Sequence, residues 1–144
     1  MGLKPTSRVP ELANTIGEEL LKVHVSYGPI IQKLLKKFNR EDKPRVIKGL
    51  AHITGGGLVD NFPRVLPKSC DAVIDCDTWT VPAIFQHIQK GGGVDPVEMY
   101  QVFNMGIGMV IVVAEKDASA VLKKTKGAVI GGIVKGSGVV KLVL

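Results

Sequence analysis

One stretch of this sequence gathers residue types that can do chemistry: His52-Ile53-Thr54-Gly55-Gly56-Gly57, with Asn61 and Arg64 shortly after. An apolar run, Val46 to Ile53, leads into it and reads as a buried strand. Three glycines then turn the chain, and Leu58, Phe62 and Val65 follow at helical spacing. A glycine turn lets backbone pack against a ligand, because no Cβ blocks the approach. A helix start offers unpaired N–H groups and the positive end of a dipole, which suits an anion. His52 adds a ring that titrates near neutral pH. Thr54, Gly55, Gly56 and Gly57 are therefore candidates for holding an anionic group, Asn61 and Arg64 for orienting it, and His52 for acid–base work. Each has an architectural reading as well. The glycines serve a tight corner, His52 alternates with Leu50 as a core imidazole, and Asn61 and Arg64 sit on a solvated helix.

The elements that must position these residues fit one domain. The chain has 144 residues, 45% of them hydrophobic and only 5% aromatic, so its core is built from Val, Ile, Leu and Ala. A formal net charge of +6 suits an anionic ligand or partner without naming one. The densest cations, Lys33, Lys36, Lys37, Arg40, Lys43 and Arg45, run from a helix end into a loop, where the helix dipole favours them anyway. No nucleic acid is expected as a partner. Cys70 and Cys76 form no CxxC, and no histidines stand at metal spacing, so both thiols read as reduced in a cytoplasmic protein with no metal of its own. No signal pattern opens the chain, and no apolar run reaches the ~18 residues of a membrane span.

Taken in order, the chain reads α-α-β-α-β-α-α-β-α-β-β. Met1 to Pro10, with Pro5, Ser7 and Pro10, reads as a mobile lead-in. Thr15 and Glu18 form a capping box for a short helix, and Ser26 is placed to cap a second helix, Tyr27 to Phe38. Cys70 to Cys76 is a strand. Ala83 to Lys90 is a helix, stopped by Gly91-Gly92-Gly93. Asp95-Pro96 begins another that runs to Phe103. Met109 to Ala114 is purely apolar, as a strand covered on both faces would be. Asp117 to Lys124 is an exposed helix. Ala128 to Val134 and Val139 to Val143 suit a hairpin closed by Lys135-Gly136-Ser137-Gly138. Asp71, Asp75 and Asp77 are either solvated strand-end residues or cation ligands.

Common catalytic signatures are missing. There is no GxxxxGK[ST], GxSxG or HExxH. Gly106-Ile107-Gly108 lacks the third glycine of a dinucleotide fingerprint and precedes a strand rather than a helix. What is present is an ordered set of blocks: His-Ile-Thr-Gly-Gly-Gly-Leu, Asn61-Phe62-Pro63-Arg64-Val65-Leu66-Pro67, Trp79 with Pro82 and Phe85, Glu98-Met99-Tyr100, and Phe103-Asn104-Met105-Gly106-Ile107-Gly108-Met109. From about Thr15 to the end, this set resembles the phosphoribosylformylglycinamidine cyclo-ligase family, the aminoimidazole ribonucleotide synthetases of purine biosynthesis. Selenophosphate synthetases and thiamine-phosphate kinases of the same superfamily lack the second and last blocks. A non-catalytic domain binding anions or nucleic acid would also fit the charge.

The resemblance implies an α/β (α+β) fold, a three-layer α/β/α unit with a mixed sheet. It implies a reaction that closes formylglycinamidine ribonucleotide to aminoimidazole ribonucleotide with ATP and Mg2+. In the family these are held mainly by an N-terminal ATP-binding domain that also forms most of a homodimer interface. The present chain corresponds to the C-terminal domain, residues 15–144, with 1–14 as a flexible interdomain remnant. It reads as an excised domain, a truncation or a split gene product, inactive alone. The substrate lies between the two domains, so Asn104, Gly106 and Gly108 become cleft-wall candidates and Glu98 a helix-start residue. One segment departs from the family. Where Pro-Thr-variable-Ile-Tyr usually precedes the long helix, this chain has Val23-His24-Val25-Ser26-Tyr27 and keeps only the tyrosine. His24 either replaces the lost hydroxyl as a hydrogen-bond partner or is simply exposed.

Overall fold

A computed structural model describes residues 2–144. Six helices (α1 Ile16–Leu20, α2 Gly28–Phe38, α3 Gly57–Asn61, α4 Ala83–Gly92, α5 Pro96–Val102, α6 Glu115–Leu122) accompany five strands (β1 Ile47–His52, β2 Cys70–Asp75, β3 Met109–Val113, β4 Gly131–Lys135, β5 Val140–Val143). Short 3-10 turns at Phe62–Val65 and Cys76–Thr78 follow α3 and β2. This is the expected mixed α/β class, organised as two sheets, one of which is mixed. β1 and β3 pair antiparallel, with His52 opposite Met109. In the other sheet β2 is central, antiparallel to β4 and parallel to β5.

Local chemistry explains most element ends. Thr15 and Glu18 make the capping box at α1. The lead-in is tied to the same helix, because Ile16 N donates to Ser7 O at 2.9 Å and Gly17 N to Pro5 O at 2.7 Å. Asp95 accepts from Val97 N to start α5, with Pro96 in the first turn. Ser26 does not cap α2. Tyr27 takes that position with no side-chain bond, and Pro29 supplies the helix start. Helix α4 runs on through Gly91 and Gly92 to a left-handed Gly93, where φ is 61° and only a Cβ-free residue sits without strain. Asn39 joins α2 to β1: its Oδ1 accepts from Val46 N and Ile47 N, and its Nδ2 donates to Ile47 O.

The core joins both sheets through α3 and α5. Phe62, Ile53, Leu58 and Met99 are fully buried there, beside Ala72, Ile74 and Val110. Strand β3 is less covered than its apolar sequence implies. Only Val110 is buried, and its remaining residues are half-buried along an open cleft.

The expected hairpin does not form. β4 and β5 lie on opposite sides of β2, and the loop between them passes over the start of that strand. Asp71 is the reason. Its buried Oδ1 accepts from Ser137 N (2.7 Å), Gly138 N (3.1 Å) and Val139 N (3.1 Å), and its Oδ2 meets Lys141 Nζ at 2.8 Å. Three amides converging on one carboxylate oxygen outweigh a hairpin turn at Lys135-Gly136-Ser137-Gly138. The loop can come this close only because residue 136 is glycine, whose Cβ would stand 2.0 Å from the Asp71 carboxyl carbon. Asp71 is thus neither a solvated strand end nor a cation ligand, and Asp75 caps the turn after β2 by accepting from Asp77 N.

Lys141 first, and then the loop amides, hold the Asp71 carboxyl well below the usual carboxylate range. A depressed folded-state pKa adds stability that is complete above the unfolded value, about 4, and is lost as pH falls through the folded value. Asp71→Asn is therefore expected to lower the urea midpoint at neutral pH, and the gap to wild type should close as the solution is acidified below that point. A gap that stays constant into strong acid would show that charge is not what Asp71 contributes.

Candidate functional site

Strand β1 ends at His52, and the chain then turns through Thr54-Gly55-Gly56 into α3. Gly56 and Gly57 take positive φ, 97° and 57°. Gly57 is buried against α5, where an added Cβ would stand 2.0 Å from Tyr100 O and 2.8 Å from Phe103 O. Gly57 is thus required where the turn touches α5, whereas a Cβ at Gly55 would meet nothing within 4 Å. Asn61 holds the turn from inside. It is 4% exposed, and its Nδ2 donates to Gly55 O (3.0 Å) and Gly57 O (2.8 Å) while its Oδ1 accepts from Thr54 Oγ1 (3.2 Å). Two turn amides are also committed, Gly57 N to Thr54 O (3.1 Å) and Gly56 N to Val102 O (3.4 Å). On their open side Gly55 and Gly56 line a shallow depression with Asp60, Asp95, Glu98 and Gln101. Arg64 leaves the 3-10 turn exposed, without an ion pair among the described residues.

His52 belongs to a different neighbourhood. Its exposed ring stands 5.9 Å from that of His24 and 6.2 Å from that of Tyr27, centroid to centroid. Tyr27 packs on Gly108, where a Cβ would fall 2.2 Å from the phenol oxygen. The loop that carries Gly108 is held by several hydrogen bonds. Asn104 Oδ1 accepts from Gly106 N, Trp79 Nε1 donates to Met105 O, Met105 takes φ 49°, and Ile53 N donates to Gly108 O. Gly106 fits under Pro82, whose Cδ would be 2.7 Å from a Cβ. Tyr27, Trp79, Gly106 and Gly108 line the mouth of a cleft of about 1600 Å³ that continues between β3, α2 and β4.

The sequence candidates therefore divide. Gly106 and Gly108 line the cleft, Asn104 braces their loop through Gly106 N, His52 borders the cleft only through the Tyr27 ring, and the glycine turn faces the neighbouring depression. Sequence reasoning missed the ring cluster. His24 and Tyr27 were visible only as a departure before α2, and nothing in their spacing brought them to β1. The inner groups are inert: burial pushes the Cys76 thiol up and the adjacent Tyr100 hydroxyl up to about 12, so neither supplies a nucleophile near neutral pH. Among the described residues no three His, Cys, Asp or Glu side chains gather as a metal-holding group.

This arrangement is an α/β domain that presents an imidazole and a braced glycine turn at the open end of a strand pair. Residues 10–143 match the family described as AIR synthase related protein, C-terminal domain, and the chain belongs to that family. It is 46% identical over 127 residues to the phosphoribosylformylglycinamidine cyclo-ligase of Syntrophotalea carbinolica, covering 88% of this chain and 34% of that protein. The enzyme of the same name from Bacillus cytotoxicus is 46% identical over 129 residues, 86% of this chain and 35% of its own length. The chain thus spans about a third of these relatives. Among solved structures, Escherichia coli HypE, a hydrogenase maturation protein, superposes with a TM-score of 0.56 at 27% identity, over 89% of this chain and 41% of HypE.

The two turn glycines should differ when replaced. Gly56→Ala meets strain of ~1–3 kcal/mol at its positive φ, with the nearest atoms 3.0 Å or more away in the Asp60 and Asn61 side chains. Gly57→Ala adds overlap with the α5 backbone to the same strain. Denaturant unfolding should rank Gly57→Ala clearly below Gly56→Ala. Equal losses would show that α5 does not press on the turn.

Proposed function

We propose that this chain is the C-terminal part of an ATP-dependent cyclo-ligase that closes formylglycinamidine ribonucleotide to aminoimidazole ribonucleotide. The observation that carries the reading is the 46% identity to proteins of that name across 88% of the chain. The 27% identity to HypE supports the shared fold and favours no rival activity. In this reading ATP and magnesium sit mainly on a preceding domain. ATP would supply the phosphoryl group that turns the formyl oxygen into a leaving group, itself leaving as ADP, the enzyme is a cytoplasmic homodimer, and substrate lies between the two domains.

The residues of this chain then have separate tasks. His52, exposed beside the cleft mouth, is the acid–base group that moves a proton at the reacting amidine nitrogen. Thr54 and the Gly55 amide donate to the substrate's anionic group, with the chain's net charge of +6 offsetting the carboxylates of Asp60, Asp95 and Glu98 that share the depression. Gly56, Gly57 and Asn61 fix the shape of that surface, and Arg64 supplies positive charge beside it. Asn104, Gly106 and Gly108 form the wall against which the ring closes. Donors held in place before the reaction avoid reorganising as charge develops.

The test supplies the missing part in trans. Purified chain with ATP, magnesium and substrate should release no ADP at an enzyme's usual rate of about 1 per second. Adding the N-terminal two thirds of a cyclo-ligase relative should restore aminoimidazole ribonucleotide formation, and His52→Ala should reduce it roughly a hundredfold. Turnover by the chain alone would overturn the division of labour. Salt-sensitive RNA binding with no response to substrate would favour a nucleic-acid domain.

A further inference from the structure

Two strands of this fold each have an open edge. Among the described residues β3 pairs only with β1, and β4 only with β2. No backbone bond from a turn or loop reaches either strand. Both line the same cleft of about 1600 Å³, whose other walls are apolar faces of α2 (Ile30, Ile31, Leu34) and α6 (Ala118, Val121). An open edge is a row of unpaired N–H and C=O groups, and edges that face water are usually guarded by charge or proline. Residues 109–114 and 128–134 contain neither. An unbroken apolar run is the sequence of a strand inside a covered layer, yet β3 has a neighbour on one side only. Val129 and Ile133, on the opposite wall, are 56% and 42% exposed.

We propose that the cleft receives an extended apolar segment, whose backbone pairs with β3 on one side and β4 on the other. Main-chain bonds supply the affinity, and the aliphatic walls select apolar side chains. Each edge is 5 residues long, so at about 3.3 Å per residue a segment of roughly the same length covers both. Its insertion joins the two sheets into one mixed sheet. It fills the interior of the cleft and leaves Gly106 and Gly108 at the mouth. The donor is another part of a cyclo-ligase: this chain covers 34% of the Syntrophotalea carbinolica relative, so about two thirds of that protein lies outside the matched region. A second copy of this chain is a poorer donor, because its own uncharged strands are already fixed in its sheets along its own cleft. The choice of donor rests on the cyclo-ligase reading, whereas the two open edges do not.

The probes are overlapping synthetic peptides of about twelve residues, covering the part of the Syntrophotalea carbinolica enzyme outside the matched region. Each is titrated into the intact chain and followed by amide hydrogen exchange. One contiguous apolar segment is expected to bind saturably and to slow exchange in both β3 and β4 by about tenfold or more. Two variants locate the contact. Ile133→Lys puts a charge in the cleft wall and should weaken that peptide by about tenfold or more. Val143→Lys, at an exposed position of β5 outside the cleft, should leave binding unchanged. Both replaced residues are exposed, so both variants should fold, which thermal unfolding checks. Three results overturn the proposal: no peptide that binds saturably, a bound peptide that leaves β3 or β4 exchanging as in the free chain, or protection that rises with chain concentration alone, which would place a second copy on the edge. Turnover restored by the N-terminal two thirds in trans, alongside any of these, would remove this inference and leave the cyclo-ligase reading standing.

Discussion

The side-chain amide of Asn61 is the constraint on which the candidate site depends. A chain leaving β1 must reverse within three residues and bury α3 against α5. That reversal turns two carbonyls, of Gly55 and Gly57, toward the interior. Asn61 supplies both N–H donors from a helix one turn further on, and its carbonyl takes the Thr54 hydroxyl. Left without that partner, the buried Gly57 carbonyl would cost about 1–3 kcal/mol. Gly57 is the other half of the same solution, since only a residue without a Cβ fits under the Tyr100 carbonyl. Sequence signals read as ligand-binding are here first a device for turning a strand into a short helix, and the surface offered to a ligand is what that device leaves outside.

The second sheet repeats the logic with a charge in place of an amide. A buried carboxylate at the start of β2 collects three amides and a lysine, and so draws the loop before β5 across the strand. Two buried polar side chains, Asn61 and Asp71, thereby settle the turn in one sheet and the strand order in the other. Both are fully partnered, as buried polar groups must be if they are to specify a structure.

Local signals in the sequence carried far. The capping box at Thr15, the Asp95-Pro96 helix start and the strand ending at His52 depend on neighbours within a few residues, and each stands where its chemistry puts it. What failed depended on distant partners. Gly136 and Ser137 read as a hairpin turn because Asp71, far back in the chain, is invisible to a local pattern. The apolar run at Met109 implied cover on both faces, yet the strand borders a cleft. Ser26 looked like a cap because its type is right, while Pro29 alone suffices to start α2. At the site, His52, Gly106 and Gly108 were legible as types, but the approach of His24 and Tyr27 to the same strand end was not, because it is made by tertiary packing.

The central claim is that the cleft mouth beside His52, with the outer face of the Thr54–Gly55 turn, is where this domain meets substrate. Chemical-shift mapping of the labelled chain with formylglycinamidine ribonucleotide tests it without requiring turnover. The expected result is a contiguous set of perturbed amides at His52, Thr54, Gly55 and Gly106 to Gly108, with β4 and β5 unmoved. Perturbations confined to β4 and β5, or none at saturating ligand, would contradict it.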